Sequence, residues 1–202
     1  MTTKLYGISS SRALRSLWAI EEVGIDYEHI PTSFRGDSKQ PEYLAINPNG
    51  RVPALQDGDV TLFESMAINL YLAKTYGGAL YPADPVDQAK AVQWSVWGIS
   101  EIEPLQMRIV IQKRFTPEEK QDPGEVASAA KGLERPLAVL NAHLANQPML
   151  LGDDFSVADL NVSGVMLLLS MLEHDYSHHP NVQRWADACY ARPALARARA
   201  KD

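Results

Sequence analysis

The apolar positions of the chain change their period once, near residue 78. Ahead of that point short alternating stretches are interleaved with helical ones. Thr3-Lys4-Leu5-Tyr6-Gly7-Ile8 reads as a strand, and Ser9-Ser10-Ser11 as a loop with N-cap chemistry. Leu14, Leu17, Trp18 and Ile20 recur at helical spacing from Arg12 to Val23, and Gly24 ends the helix as a C′ glycine does. Residues 25–30 alternate again, and a β-α-β unit of this length implies parallel pairing. Residues 31–45 are polar, with a short irregular helix expected from Pro41 to Ala45. Val52 to Gln56 and Val60 to Phe63 flank Asp57-Gly58-Asp59, a hairpin signal. A helix from Ser65 to Tyr76 is expected to bury Ala67, Ile68, Tyr71 and Leu72 before Gly77-Gly78.

Beyond residue 78 no strand is expected. Residues 79–85 read as an extended linker with two prolines, and the rest as helices. One runs from about Val86 to Lys113 with a kink at Pro104, whose missing N–H and ring clash break the ladder. Thr116-Pro117-Glu118-Glu119 has the form of a capping box, and Leu133, Leu137, Leu140 and Leu144 line one face of a helix from Glu125 to Ala145. Ser156-Val157-Ala158-Asp159 is a second box opening a nearly all-apolar helix that ends near Leu172, the expected centre of a second core. Pro180 starts a helix carrying Val182, Trp185 and Ala186, and Pro193 to Ala200 adds a last one.

Composition narrows what this layout serves. The chain has 202 residues, above the usual single-domain size of roughly 100–150. That length suits two small domains or one large one, and with 46% hydrophobic residues the chain can bury a real core. A net charge of −6 and no basic run argue against nucleic acid as a partner. One cysteine, Cys189, excludes an internal disulfide, a Cys-x-x-Cys redox pair and a cysteine-rich metal site, and a cytoplasmic location is expected. The start lacks an apolar signal core, and the longest apolar run, Val165 to Leu169, is too short to span a membrane.

The candidate chemistry lies in Ile46-Asn47-Pro48-Asn49-Gly50-Arg51-Val52-Pro53-Ala54-Leu55, followed by Phe63-Glu64-Ser65-Met66. Pro53 at a strand entry suggests a rigid, cis-prone bond that leaves the Val52 backbone groups for an extended peptide. Ser65 at a helix start can cap the helix, or the same positive end can hold a carboxylate.

These pieces, in order, resemble the cytosolic glutathione transferases, and in detail a bacterial serine-type member. KLYGISSSRALRSLWAIEEVGIDYE, NPNGRVPAL, LFESMAINLYL, GDDFSVADLNV and PNVQRWADACYARPAL carry the resemblance along the whole chain. It implies an α+β two-domain protein: a thioredoxin-like domain over 1–78 with a mixed four-stranded sheet, and an all-α domain over 86–202. It implies a cis Val52–Pro53 bond whose Val backbone pairs with the cysteinyl unit of glutathione. Glu64 and Ser65 match the pair that binds the γ-glutamyl amine and carboxylate, and Arg51 and Lys39 are weaker matches for the glycyl carboxylate. Ser11 and Ser10 are the alternatives for thiol activation, and Tyr6 has the register of the tyrosine-type classes. Trp97, Glu101, Met107 and Arg108 lie where the family places its second-substrate pocket. Glutathione as co-substrate, an apolar electrophile, no metal, and a homodimer in which Met66 meets the partner's helical domain follow from the same resemblance.

Plainer readings stand beside these. Ser10 and Ser11 serve equally as caps of the first helix, Tyr6 as packing and the Trp97 stripe as core. Ser156 and Asp159 read as structural, Cys189 as a buried inert thiol, and His178-His179 as solvated. Three functional classes follow: a transferase, a glutathione- or apolar-ligand-binding protein without useful turnover, and a docking protein. Peroxidase, isomerase or thiol-transfer chemistry is compatible with the same site.

Overall fold

The computed structural model describes residues 2–172 and 174–202. It divides into two units, residues 1–88 with 191–202, and residues 89–190. The sequence-based boundary thus differs at the C-terminal end, where the last segment packs on the first unit through its contact with the first helix.

In the first unit, strands β1 (Thr3–Tyr6), β2 (Tyr27–Ile30), β3 (Ala54–Asp57) and β4 (Val60–Phe63) form one sheet in the order β2-β1-β3-β4. β1 and β2 are parallel, with Leu5 opposite His29. β1–β3 and β3–β4 are antiparallel. The sheet is mixed because a helical crossover joins the parallel pair and a tight turn joins β3 to β4. Both central strands are shorter than their pattern suggested. β1 stops at Tyr6, where the chain turns at Gly7, and β3 begins only after the cis Val52–Pro53 bond, since proline has no N–H for the ladder.

Helix α1 (Ala13–Val23) buries Leu17, Trp18 and Ile20, and α2 (Pro41–Leu44) is a single turn. Helix α3 (Ser65–Tyr76) buries Met66, Ile68, Asn69, Leu72 and Ala73. The expectation for α3 was off by a small rotation, since Ala67 is exposed and Tyr71 half-buried. Tyr71 and Tyr76 spend their hydroxyls on Asp57, at 2.7 and 2.6 Å. The segment 191–202 carries α9 (Pro193–Arg199), which packs on α1 and is clamped there by Arg192 on Glu22 and Arg197 on Glu21.

The helix expected from Val86 to Lys113 is resolved into pieces. α4 (Pro85–Trp97) runs into a π-helical stretch, Gly98–Ile102, then α5 (Glu103–Val110), then a second π-helical stretch, Ile111–Phe115. The widening falls just ahead of Pro104. The Glu103 N–H reaches back to the Gly98 carbonyl, five residues away, where the usual ladder cannot continue through a residue without an N–H. Helices α6 (Pro123–His143), α7 (Val157–Ser170) and α8 (Pro180–Tyr190) complete the second unit. Its core holds Leu133, Leu137, Leu140, Val162, Val165 and Trp185.

Two expectations for this unit fail. The Thr116 box does not form: the Thr116 hydroxyl donates to the Ile111 carbonyl, because it lies at the end of a helical stretch that has spare acceptors. Asp122 caps α6 instead, accepting from the Gly124 and Glu125 N–H groups with Pro123 at the first helical position. His179 is buried against Glu134, at 3.2 Å, while its neighbour His178 is exposed. The second box is as expected. Ser156 and Asp159 cap α7 reciprocally, and Asp159 also accepts from Leu150 N–H and Trp185 Nε1. Burial pushes this carboxyl up, against the donors converging on it.

Candidate active site

Three segments of the first unit converge on the end of β1. The first is the loop from Gly7 to Arg12. Gly7 has φ +135°, and a Cβ built there would lie 2.3 Å from the Ala13 Cβ and 3.3 Å from the Val52 Cβ. Only glycine lets the serine loop approach the strand-entry segment this closely. The Gly7 N–H donates to the Ile30 carbonyl, and its own carbonyl is bonded to His29 Nε2 at 2.7 Å. Ser10 is exposed at the tip. Ser11 is half-buried; its hydroxyl donates to the Ile8 carbonyl at 2.7 Å and accepts the Ala13 N–H at 3.1 Å. Tyr6 is buried, edge-on to Tyr43, and donates its hydroxyl to Gln56 at 2.6 Å, so it packs within the sheet.

The second is the segment before β3. Asn47 builds its turn, with its side-chain oxygen accepting the Asn49 N–H and its amide donating to the Arg51 carbonyl at 2.7 Å. The Tyr43 hydroxyl donates to the same carbonyl at 2.6 Å. Gly50, at φ +58°, closes the turn onto Asn47, and Lys39 Nζ donates to the Gly50 carbonyl. Arg51 is exposed. Val52 and Pro53 are buried and joined by a cis bond. Among the described residues no group pairs with the Val52 backbone N–H or C=O.

The third is the start of α3. Glu64 is exposed and has φ 72°, ψ 114°, a conformation that costs a side-chain-bearing residue about 1–3 kcal/mol. Ser65 behind it is 6% exposed. Glu64 supplies no side-chain cap and no acid sits in the first turn, so the N–H groups of this end stay available to an anion. The first turn of α1 holds no acid either.

The structure brings Ser10, Ser11, Val52, Pro53, Glu64 and Ser65, singled out in the sequence, into these three segments of the first unit. Lys39 joins them through Gly50. Missed in the sequence were Tyr43, whose role is visible only once the fold brings it to Arg51, and Gly7, whose signal was the glycine directly after a strand. In the second unit Trp97 is half-buried edge-on to Trp94, Met107 is half-buried and Glu101 exposed. Arg108 is engaged within its own unit, donating to both Glu125 oxygens at 2.6 and 3.0 Å and to Ser128. Met66, the residue expected at a dimer contact, is 7% exposed.

A thioredoxin-like sheet with a cis-proline entry, followed by an all-helical unit, is the fold class of the glutathione transferases. Family descriptions agree: "Glutathione S-transferase, N-terminal domain" matches residues 1–74, and "Glutathione S-transferase, C-terminal domain" matches residues 102–193. Glutathione S-transferase 4 of Zea mays is 36% identical over 198 residues, covering 95% of this chain and 89% of its own. GstB of Escherichia coli K12 is 31% identical over 191 residues, covering 93% and 92%. The theta class glutathione S-transferase of Xanthomonas axonopodis pv. citri, solved with glutathione bound, superposes with a TM-score of 0.89 at 32% identity over 100% and 98% of the two chains. The chain belongs to the glutathione S-transferase family.

Among the described residues no cluster of three or more His, Cys, Asp or Glu side chains is placed to hold a metal ion. No helix of the described residues is long and apolar enough to cross a membrane.

Proposed function

We propose that the chain is a cytoplasmic glutathione transferase that binds glutathione on its first unit and conjugates it to a small apolar electrophile. The observation that carries this reading is the Val52 backbone, unpaired among the described residues, beside the uncapped start of α3. An extended tripeptide pairs its cysteinyl unit with Val52, and its γ-glutamyl carboxylate takes the Ser65 hydroxyl and the α3 N–H groups. Glu64 faces the γ-glutamyl amine. Arg51 and Lys39 supply positive charge for the glycyl end.

A serine hydroxyl then donates to the glutathione sulfur. Each unit of thiol pKa lowering needs ~1.4 kcal/mol of preference for the thiolate. A hydrogen bond to a charged acceptor gives roughly 1.5–3 kcal/mol and a helix start ~0.3–1. Ser11 or Ser10 with α1 behind it therefore lowers a thiol of pKa near ~8.5 by ~1–2 units. The serine is a hydrogen-bond donor, neither base nor nucleophile. Trp97 and Met107 supply apolar surface for the electrophile, whereas the Glu125 pairing of Arg108 favours a structural role for that residue. Val92, Val96 and Ile99, exposed at helical spacing from α4 onward, support a homodimer.

A second reading, a glutathione-binding protein with little turnover, draws on the engagement of the Ser11 hydroxyl with Ile8. Retention on immobilised glutathione followed by a conjugation assay with an aryl halide separates them. Retention with turnover is expected; retention without turnover favours the second reading, and loss of retention contradicts both.

A further inference from the structure

The structure ties the serine loop to a residue at the far end of the chain. The Ser9 N–H donates to both carboxylate oxygens of Asp202, at 2.8 and 3.1 Å. That N–H and the Ile8 carbonyl belong to one planar peptide unit, and the same carbonyl accepts both the Ser11 N–H at 3.1 Å and the Ser11 hydroxyl at 2.7 Å. One rigid plate is thus held at its N–H edge by Asp202 and at its C=O edge by Ser11. A carboxylate on the N–H also polarises the carbonyl, making it a better acceptor for the one proton Ser11 can donate.

Asp202 is delivered to this spot by a built strap. Arg192 forms a fork on Glu22 at 2.6 and 2.8 Å, and the Glu22 side chain is 8% exposed. Arg197 donates to the Glu21 carboxylate and carbonyl, and Lys201 pairs with Glu21 at 2.9 Å while lying 4.9 Å from the centre of the Tyr27 ring. Arg192, Arg197 and Lys201 are spent on α1 and β2, and Asp202 reaches the serine loop as an acid.

We infer that Asp202 is a positioning residue that restrains thiol activation: through the Ile8–Ser9 peptide it keeps the Ser11 proton on the Ile8 carbonyl, away from the glutathione sulfur. This rests on the glutathione reading above and commits to Ser11 as the donor.

The test is the pKa of the bound glutathione thiol, followed by thiolate absorbance in wild type, Asp202→Ala, Ser11→Ala and the double variant. Asp202→Ala is expected to lower that pKa by about 0.5 unit, which raises kcat about threefold at pH below the pKa because one unit is tenfold in thiolate fraction. Asp202→Asn, which keeps an acceptor and loses the charge, is expected to fall between the two. In the Ser11→Ala background the Asp202 substitution is expected to have no effect. Ser9 amide hydrogen exchange in the unliganded protein should quicken about tenfold in Asp202→Ala, showing the tie independently of glutathione. An unchanged or raised thiol pKa in Asp202→Ala, or an effect that persists without Ser11, overturns the inference while leaving glutathione binding intact. A wild type that binds no glutathione overturns the parent reading as well, and is recognised by the absence of any thiolate signal.

Discussion

The starts of α3 and α7 each carry a serine, and they are built in opposite ways. At α7 every polar group is answered from within: Ser156 and Asp159 cap each other's backbone, and Trp185 and Leu150 donate to the same carboxylate. At α3 nothing comparable exists. Glu64 holds a costly backbone conformation, supplies no side-chain cap, and stands next to a Val52 backbone with no partner among the described residues. A fold gains nothing by leaving its own donors open beside a strained residue. The difference teaches which serine end was built for folding and which for a ligand.

The contrast breaks most sharply at Asp159. Asp159→Ala removes four hydrogen bonds and leaves buried donors on Trp185 and Leu150, so a loss of about 3 kcal/mol or more is expected from urea unfolding. Glutathione affinity of the folded fraction should not change. Ser65→Ala should do the reverse, with stability held within about 0.5 kcal/mol and glutathione binding weakened about tenfold by calorimetry. A dissociation constant within twofold of wild type would remove Ser65 from the site. Ser156→Ala is expected to cost about 1 kcal/mol, an ordinary cap loss.

How much of this was legible in sequence follows the same divide. The α7 box was readable because its partners lie three residues apart and a long apolar helix follows. The α3 start was readable as a serine before a helix, but its openness was not, since an absent cap and a positive φ leave no mark in residue type. The Thr116 box shows the opposite error. Its spacing was right, yet Asp122-Pro123 offered a cap directly before the long helix, and Thr116 was needed at the end of the preceding one. His179 was misjudged because its partner, Glu134, is distant in sequence. The strap from Arg192 to Asp202 escaped for the same reason, as only the fold brings 191–202 onto α1.

The smallest expected effects belong to that strap. Hydrogen bonds from Lys201, Arg197 and Tyr27 outweigh burial and hold the Glu21 carboxyl below its usual range. Its folded-state pKa is therefore below the unfolded one, so its contribution to stability is complete above the unfolded carboxylate value and is lost as pH falls through the depressed one. Arg197→Ala should lower the unfolding free energy measured in urea by about 0.2–1 kcal/mol at neutral pH, and this difference should shrink as pH falls through the carboxylate range. A difference that grew on acidification would contradict the assignment.

The most direct measurement is a crystal structure with glutathione bound. The account predicts the cysteinyl backbone paired with Val52, the γ-glutamyl carboxylate on Ser65 at the start of α3, and the sulfur within hydrogen-bond distance of Ser11 or Ser10. Glutathione bound elsewhere, with Val52 still unpaired and the α3 donors unoccupied, would contradict it.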